Sequence, residues 1–347
     1  MLREISINEY LNKAAEVPLV DVRSPGEYQK GHIPGASNIP LFSNEERAAV
    51  GTVYVQQSKE KAIELGYKYV TPKLDWFISE SKKRSRQNSI AVHCWRGGMR
   101  SKSFAQHLSE NGFADVFVIR GGYKAFRKHA LEAFKTKAEI CILGGYTGSG
   151  KTYILKELKN KGAQIIDLEG LANHKGSAFG RVGSGEQPTI EQFENNLFWQ
   201  WKDLDLQKPI WVEDESHRIG LVNIPMNFYN NMRQQPVIFL DIPRQERAQH
   251  LVNEYASVNK AILEDSIRRI SKRLGGLNTQ KALDHLEKNE FFEVAMITLV
   301  YYDKYYWRGL KNREHNHIYP VEIKHIDHST NAQQILNYHE SIRVQEH

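Results

Sequence analysis

Cysteine is nearly absent from this chain. Only Cys94 and Cys141 occur in 347 residues, which excludes a secreted disulfide framework and makes a reducing, cytoplasmic setting the expectation. Long apolar runs are missing as well. No stretch approaches the roughly 18–20 apolar residues that a membrane helix needs, so no membrane association is expected. The start, Met1-Leu-Arg-Glu-Ile-Ser, carries no apolar run after its charges, and a signal peptide is not expected. There is no acidic excess: 47 Lys and Arg face 41 Asp and Glu, a formal charge of +6. That balance permits a polyanionic partner without specifying one. Repeats and low-complexity tracts are also lacking. What remains is the composition of an ordinary soluble globular protein, long enough for two or three domains.

The apolar pattern alternates strand-length runs with helical periodicity. Pro18–Val22, Ile90–His93 and Val116–Ile119 read as short buried strands. Between the last two, Phe104 and Leu108 recur at helical spacing and Gly112 stands at a C-cap position. A second series follows: Ala138–Leu143, Gln164–Asp167, Pro209–Val212 and Pro236–Asp241. From Gln245 to Arg313 the pattern is helical and rich in charge, with His317–Ile323 as a last strand and Ala332–Ile342 as a last helix. Such alternation predicts an α/β fold with two mainly parallel sheets. The domains expected are 1–130, a linker at 131–138, and 139–347 with a helical, basic C-terminal part. Lys82–Arg86 reads as a basic loop.

Two glycine-rich loops carry the chemistry. The first, His93-Cys94-Trp-Arg96-Gly-Gly-Met-Arg100-Ser101, joins a strand to a helix. Loop amides, the helix N-terminus, Arg96 and Arg100 would all favour a sulfur anion at Cys94, which makes it the candidate nucleophile. Cys141 lies inside an apolar strand and is expected to pack. The second loop, Gly145-Tyr-Thr147-Gly148-Ser149-Gly150-Lys151-Thr152, satisfies the phosphate-loop pattern in full, with a strand before it and a helix after. Lys151 is expected on phosphate oxygens, and Thr152 toward any bound Mg²⁺. Glu213 and Asp214, at the end of a strand, are the candidates for metal or substrate.

Three further features are set apart. His174, Lys175, Ser177 and Arg181 lie in a long glycine-rich stretch that is expected to face substrate. Asp241 with Arg244 and Arg247 resembles a kinase-type strand end followed by a basic lid. Arg268, Arg269, Lys272 and Arg273, together with Lys304 and Arg308 among tyrosines, form candidate RNA-binding patches. Lys124, Arg127, Lys128, Lys135 and Lys137 add a third basic run.

Asp21-Val-Arg-Ser-Pro-Gly-Glu27, Gly31-His-Ile-Pro-Gly35-Ala, the Cys94 loop and Arg120-Gly-Gly122-Tyr occur in the order found in rhodanese domains, and residues 1–130 resemble one. Cys94 and Arg100 enclose five residues, one more than common rhodaneses have. That spacing is shared with dual-specificity cysteine phosphatases. The alternative is therefore such a phosphatase fused to a phosphate-loop small-molecule kinase. Taken together with His174-Lys-Gly-Ser-Ala-Phe-Gly180 and Val212-Glu-Asp-Glu-Ser216, nearly the whole chain resembles the tRNA 2-selenouridine synthase family. The resemblance implies a tRNA substrate with 2-thiouridine at the wobble position. It implies geranylation of that sulfur from geranyl diphosphate, then replacement by selenium from selenophosphate through a cysteine-bound selenium intermediate. No permanently bound cofactor is implied.

Overall fold

The computed structural model describes every residue except 14–16, 175–184, 256–258, 312–317 and 347. The chain divides into two compact units. The first comprises Met1–Ala133 with Glu194–Trp199; the second comprises Phe134–Phe193 and Gln200–His347.

The first unit runs β1 (Leu2–Ile5), α1 (Ile7–Lys13), β2 (Leu19–Asp21), α2 (Pro25–Lys30), β3 (Ser37–Asn38), α3 (Asn44–Gln56), α4 (Lys59–Val70), α5 (Leu74–Arg84), β4 (Ser89–His93), α6 (Met99–Glu110), β5 (Asp115–Ile119) and α7 (Gly122–Ala133). Its five strands lie in the order β1-β5-β4-β2-β3, every pair parallel. Ile90, Val92, Val116 and Val118 point into one core with Phe77, Phe104 and Leu108. The Phe104/Leu108 spacing is thus the buried face of α6. Local chemistry sets the ends of these elements. Ser24 and Glu27 close a capping box over α2, with Pro25 in its first turn. Gly112, beyond the end of α6, takes φ +90°.

The loop expected at Lys82–Arg86 is helix through Arg84. Lys82, Lys83 and Arg84 form the last turn of α5, where cations meet the negative end of the helix. Phe77 and Ser81 are its buried face, so the helix runs on through residues that composition marks as loop. Helix α7 also continues to Ala133, into the stretch expected as linker.

The second unit runs β6 (Ile140–Gly145), α8 (Lys151–Asn160), β7 (Gln164–Ile166), α9 (Leu168–Ala172), α10 (Ile190–Trp201), β8 (Ile210–Glu213), β9 (Arg218–Ile219), β10 (Val222–Asn223), α11 (Met226–Gln234), β11 (Val237–Asp241), α12 (Arg244–Tyr255), α13 (Lys260–Leu274), α14 (Gly276–Glu287), α15 (Phe291–Lys311), β12 (Ile318–Glu322) and α16 (His328–Glu346). The residues of α10 are shared between the two units. The main sheet is parallel, in the order β12-β11-β6-β8-β7. β6 is central, and the chain passes to β7 and β8 on one side before reaching β11 on the other. The loop after β6 therefore opens at the point where the winding reverses, the usual ligand position in such sheets. Both units match the α/β expectation, with a mostly helical C-terminal part. No helix among the described residues is long and apolar enough to cross a membrane.

Candidate functional site

In the first unit, β4 delivers Cys94 to the start of α6. The helix begins at Gly98 without a side-chain cap, and its first backbone bond runs from the Lys102 amide to the Gly98 carbonyl. The amides of Arg96 through Ser101 enter no backbone–backbone bond among the described residues. They are left for an anion, reinforced by the positive helix end. The loop is pinned from its other side by the Tyr123 amide on the Cys94 carbonyl, 2.9 Å, and the Lys124 amide on the Trp95 carbonyl, 2.9 Å. Glycine is required at two places in this clasp. Gly97 holds φ +64°, and a Cβ there would sit 2.4 Å from the Ile119 carbonyl; at Gly122, φ +56°, it would sit 2.2 Å from the Cys94 carbonyl.

Cys94 is 3% exposed, and Sγ lies 3.3 Å from the Ser101 hydroxyl. It borders a groove of about 1950 Å³. Arg100 also borders that groove, but its guanidinium is engaged: Nη1 donates to Glu27 Oε2 at 2.8 Å and Nη2 to Oε1 at 3.3 Å. Arg96 is exposed. Beneath the loop, buried Arg23 forks onto Asp21 (Nη2–Oδ2 2.6 Å) and stacks 3.9 Å over the Tyr123 ring. Burial pushes the adjacent His93 below the usual imidazole range.

In the second unit, the loop after β6 bounds a cavity of about 660 Å³ lined by Thr147–Tyr153. Lys151 donates to the Gly145 carbonyl at 2.8 Å, and the Thr152 hydroxyl donates to Glu169 at 2.7 Å. Ser149 is buried, and its hydroxyl has no partner among the described residues. Glu213 closes β8, accepts the Glu169 amide at 2.7 Å and leaves Oε2 unpartnered. Burial, then the charges of Glu169, Asp167 and Glu215, pushes its carboxyl well above the usual range. Glu215 is raised by burial and by Glu169 in the same way. A carboxylate-rich wall facing a phosphate loop fits a cation shared with bound phosphates. Among the described residues, no trio of His, Cys, Asp or Glu is arranged to hold a metal by itself.

Tyr306 of α15 carried no signal in the sequence beyond its place in an aromatic run. It donates to Asp214 Oδ2 at 2.7 Å and accepts the Gly145 amide at 3.1 Å, which ties the two candidate motifs together. Asp303, one turn earlier, likewise carries no signal in the sequence. It corrects the expected basic lid. Arg244 and Arg247 turn away from Asp241 and pair with Asp303 (3.1 and 2.8 Å), and buried Arg247 also donates to the Thr147 carbonyl at 3.0 Å. Burying Arg247 requires a carboxylate and carbonyls around it, and Asp241, exposed at the strand end, does not supply them. Arg247 thus buttresses the phosphate loop.

Of the four residues singled out in the long glycine-rich stretch, only His174 is described. Its amide bonds the Glu169 carbonyl at 3.1 Å. Lys175, Ser177 and Arg181 lie outside the described residues. In the basic patches, Arg268 pairs with Glu264 at 2.7 Å and Arg269 pairs with Asp265, each four residues earlier. Those charges are partly spent within α13. Arg273 behaves differently. It donates to the Tyr301 hydroxyl at 3.1 Å and lies 5.6 Å over the Tyr305 ring, which joins it to α15, where Lys304 and Arg308 are exposed. Lys272 is exposed as well. Arg127, from the third basic run, pairs with Glu194 and Asn195. Cys141 sits in β6 with Sγ 3.2 Å from His339 Nε2, and burial pushes its thiol up to about 12.

Comparison with known proteins follows the two units. A family model described as rhodanese-like domain matches residues 6–129. Another, described as tRNA 2-selenouridine synthase AAA domain, matches residues 138–336. A curated tRNA 2-selenouridine synthase from Bdellovibrio bacteriovorus is 33% identical, over 86% of this chain and 90% of its own length. One from Marinobacter nauticus is 36% identical, over 86% and 89%. One from Shewanella piezotolerans is 37% identical, over 78% and 80%.

Proposed function

The chain belongs to the tRNA 2-selenouridine synthase family, and from that premise we propose that its two loops perform two successive group transfers on one tRNA base. One observation carries this reading. Each unit presents a glycine-rich anion cradle at the carboxyl end of a parallel strand, and one cradle has the Cys94 nucleophile in it while the other has Lys151. The first therefore suits a covalent carrier, and the second suits a departing phosphate group.

At the second cradle the substrate is geranyl diphosphate. The sulfur of wobble 2-thiouridine attacks the first carbon of the geranyl group, and the C–O electron pair leaves with the diphosphate. Lys151 and the loop amides stabilise that charge. Mg²⁺, where present, would be held by the Thr152 hydroxyl and Asp214 together with diphosphate oxygens, and would supply further neutralisation of the leaving group. The unpartnered Ser149 hydroxyl suits a phosphate oxygen, and the crowded carboxyls of Glu169, Glu213 and Glu215 suit the cation that would accompany it.

At the first cradle the substrate is selenophosphate, held by the amides of residues 96–101 and by Arg96 and Arg100. Cys94 sulfur attacks selenium, the Se–P pair leaves on phosphorus, and a selenenylsulfide results. Its terminal selenium attacks C2 of the alkylated base, and the alkylthiolate departs. A cellular thiol then cleaves S–Se, which leaves selenium on the base and a mixed disulfide at Cys94 for a second thiol to reduce. Exposed Lys272, Arg273, Lys304 and Arg308 contribute to tRNA binding. A tRNA substrate also fits a cytoplasmic enzyme.

The test is mass spectrometry of nucleosides from 2-thiouridine tRNA incubated with the protein, a thiol and both donors, each donor omitted in turn. Omission of selenophosphate should accumulate the S-geranyl nucleoside, and the complete mixture should yield 2-selenouridine. Normal geranylation by Lys151→Ala would overturn the assignment of the second cradle.

A further inference from the structure

The groove that borders Cys94 is far larger than selenophosphate needs. At about 1950 Å³ it exceeds the roughly 300–1,000 Å³ typical of a single small-molecule site. Its walls are also unusual for a protein surface. In the first unit, Leu2, Tyr54, Val55, Tyr67, Trp95 and Met99 are large apolar side chains exposed on its lining. Among the described residues of that unit, only Met1, Trp76 and Leu131 are comparably exposed elsewhere. Val55 is 82% exposed and Tyr67 60%. Apolar surface concentrated in one concavity marks a binding site for an apolar group. Six Lys or Arg side chains also line the groove, against two carboxylates, Glu4 and Glu110, and with Arg47 and Arg100 sharing Glu27 and Lys102 paired with Glu4 the balance stays positive. Apolar walls combined with net positive charge suit a ligand that joins a hydrocarbon chain to a polyanion. A free terpenoid would need no cations, and unmodified RNA would need no apolar wall.

We propose that this groove seats the geranyl chain carried on the sulfur of the tRNA base, so that C2 of the alkylated base is presented to Cys94. The inference rests on the S-alkyl route of the proposed function. It assigns to α3, α4 and the start of α6 a role in selecting the alkylated base. Trp95 and Met99, which lie within the Cys94 loop, would meet the part of the chain nearest the sulfur. Val55 and Tyr67, from α3 and α4, would cover the remainder.

The test uses the full chain and two synthetic anticodon stem-loops that differ only in the wobble sulfur substituent, S-geranyl or S-methyl. Affinity is read by fluorescence anisotropy. The wild-type protein should favour the S-geranyl RNA by at least about tenfold. In Val55→Asn/Tyr67→Asn that ratio should fall toward one. Both side chains are exposed, so folding should survive, and an unchanged melting temperature verifies it. A wild-type ratio near one overturns the proposal. So does a ratio that survives the groove substitutions but is lost in Lys151→Ala, which would place the chain in the second unit. Cys94-dependent selenation of both RNAs is measured alongside. Its absence from both RNAs would sink the proposed function, whereas a flat affinity ratio with selenation intact would sink only the groove.

Discussion

Arg100 lies in a two-pronged contact with Glu27, 73 residues away in sequence, at 2.8 and 3.3 Å. The same carboxylate closes the capping box of α2 through the Ser24 amide at 3.1 Å. The guanidinium beside the cysteine loop is therefore oriented before any anion arrives, and the cap of a distant helix does the orienting. Lysine cannot reproduce a fork of this kind. Arg100→Lys should reduce kcat/KM for selenation by about tenfold or more, with little change in tRNA affinity by filter binding.

The pair also carries a pH dependence. Burial pushes Glu27 up, but the hydrogen bond and charge of Arg100, with the Ser24 amide and Arg47, outweigh it and leave the carboxyl below its usual range. A depressed carboxyl contributes stability above its unfolded pKa of roughly 4.3, and that stability is lost as pH falls through the lower folded value. Thermal melts of wild type and Glu27→Gln should therefore diverge above pH 5 and converge in stronger acid. Parallel curves across that range would contradict the assignment.

Glu213 has the opposite sign. Its carboxyl is buried among other acids and raised well above the usual range, so its ionisation opposes folding at neutral pH. Glu213→Gln keeps the acceptor for the Glu169 amide and removes the charge. Melting at pH 7 should rise, by roughly 2–4 °C for each kcal/mol regained, while the gain should shrink toward pH 4.

Arg23 offers a test of the scaffold beneath Cys94. It is 1% exposed, and its removal leaves the buried Asp21 carboxylate only His93, 3.6 Å away and held below the usual imidazole range, as a charge partner. Arg23→Met should cost about 3–5 kcal/mol by urea denaturation. A loss under 1 kcal/mol would show that the cluster is not what holds the cysteine loop's foundation.

Much of this arrangement was legible in the residues. Cys94 and Lys151 announce themselves because a glycine-rich loop between strand and helix is a local pattern, and local patterns survive in sequence. The parallel sheets follow from strand-helix alternation. Long-range pairing leaves no such local pattern. Glu27 stands in a motif at the start of a helix, which it caps, and nothing near it advertises Arg100. Tyr306 sits in an aromatic run whose tyrosines are equivalent in sequence, and only the packing of α15 selects the one that faces Asp214. Arg247 reads as a surface lid residue because its partner Asp303 lies 56 positions on. Helices α3–α5 hold the groove walls, yet their apolar residues look in sequence like any core stripe. Exposure distinguishes the two, and exposure is a property of the folded chain.

The central claim is that Cys94 takes up selenium, and intact-protein mass spectrometry after brief exposure to selenophosphate, without RNA or thiol, tests it most directly. A mass gain of one selenium atom, mapped to the Cys94 peptide, absent from Cys94→Ser and discharged on adding S-geranyl RNA with thiol, is the predicted result. An unmodified Cys94 under conditions where the same preparation converts tRNA to the selenated product would contradict the account.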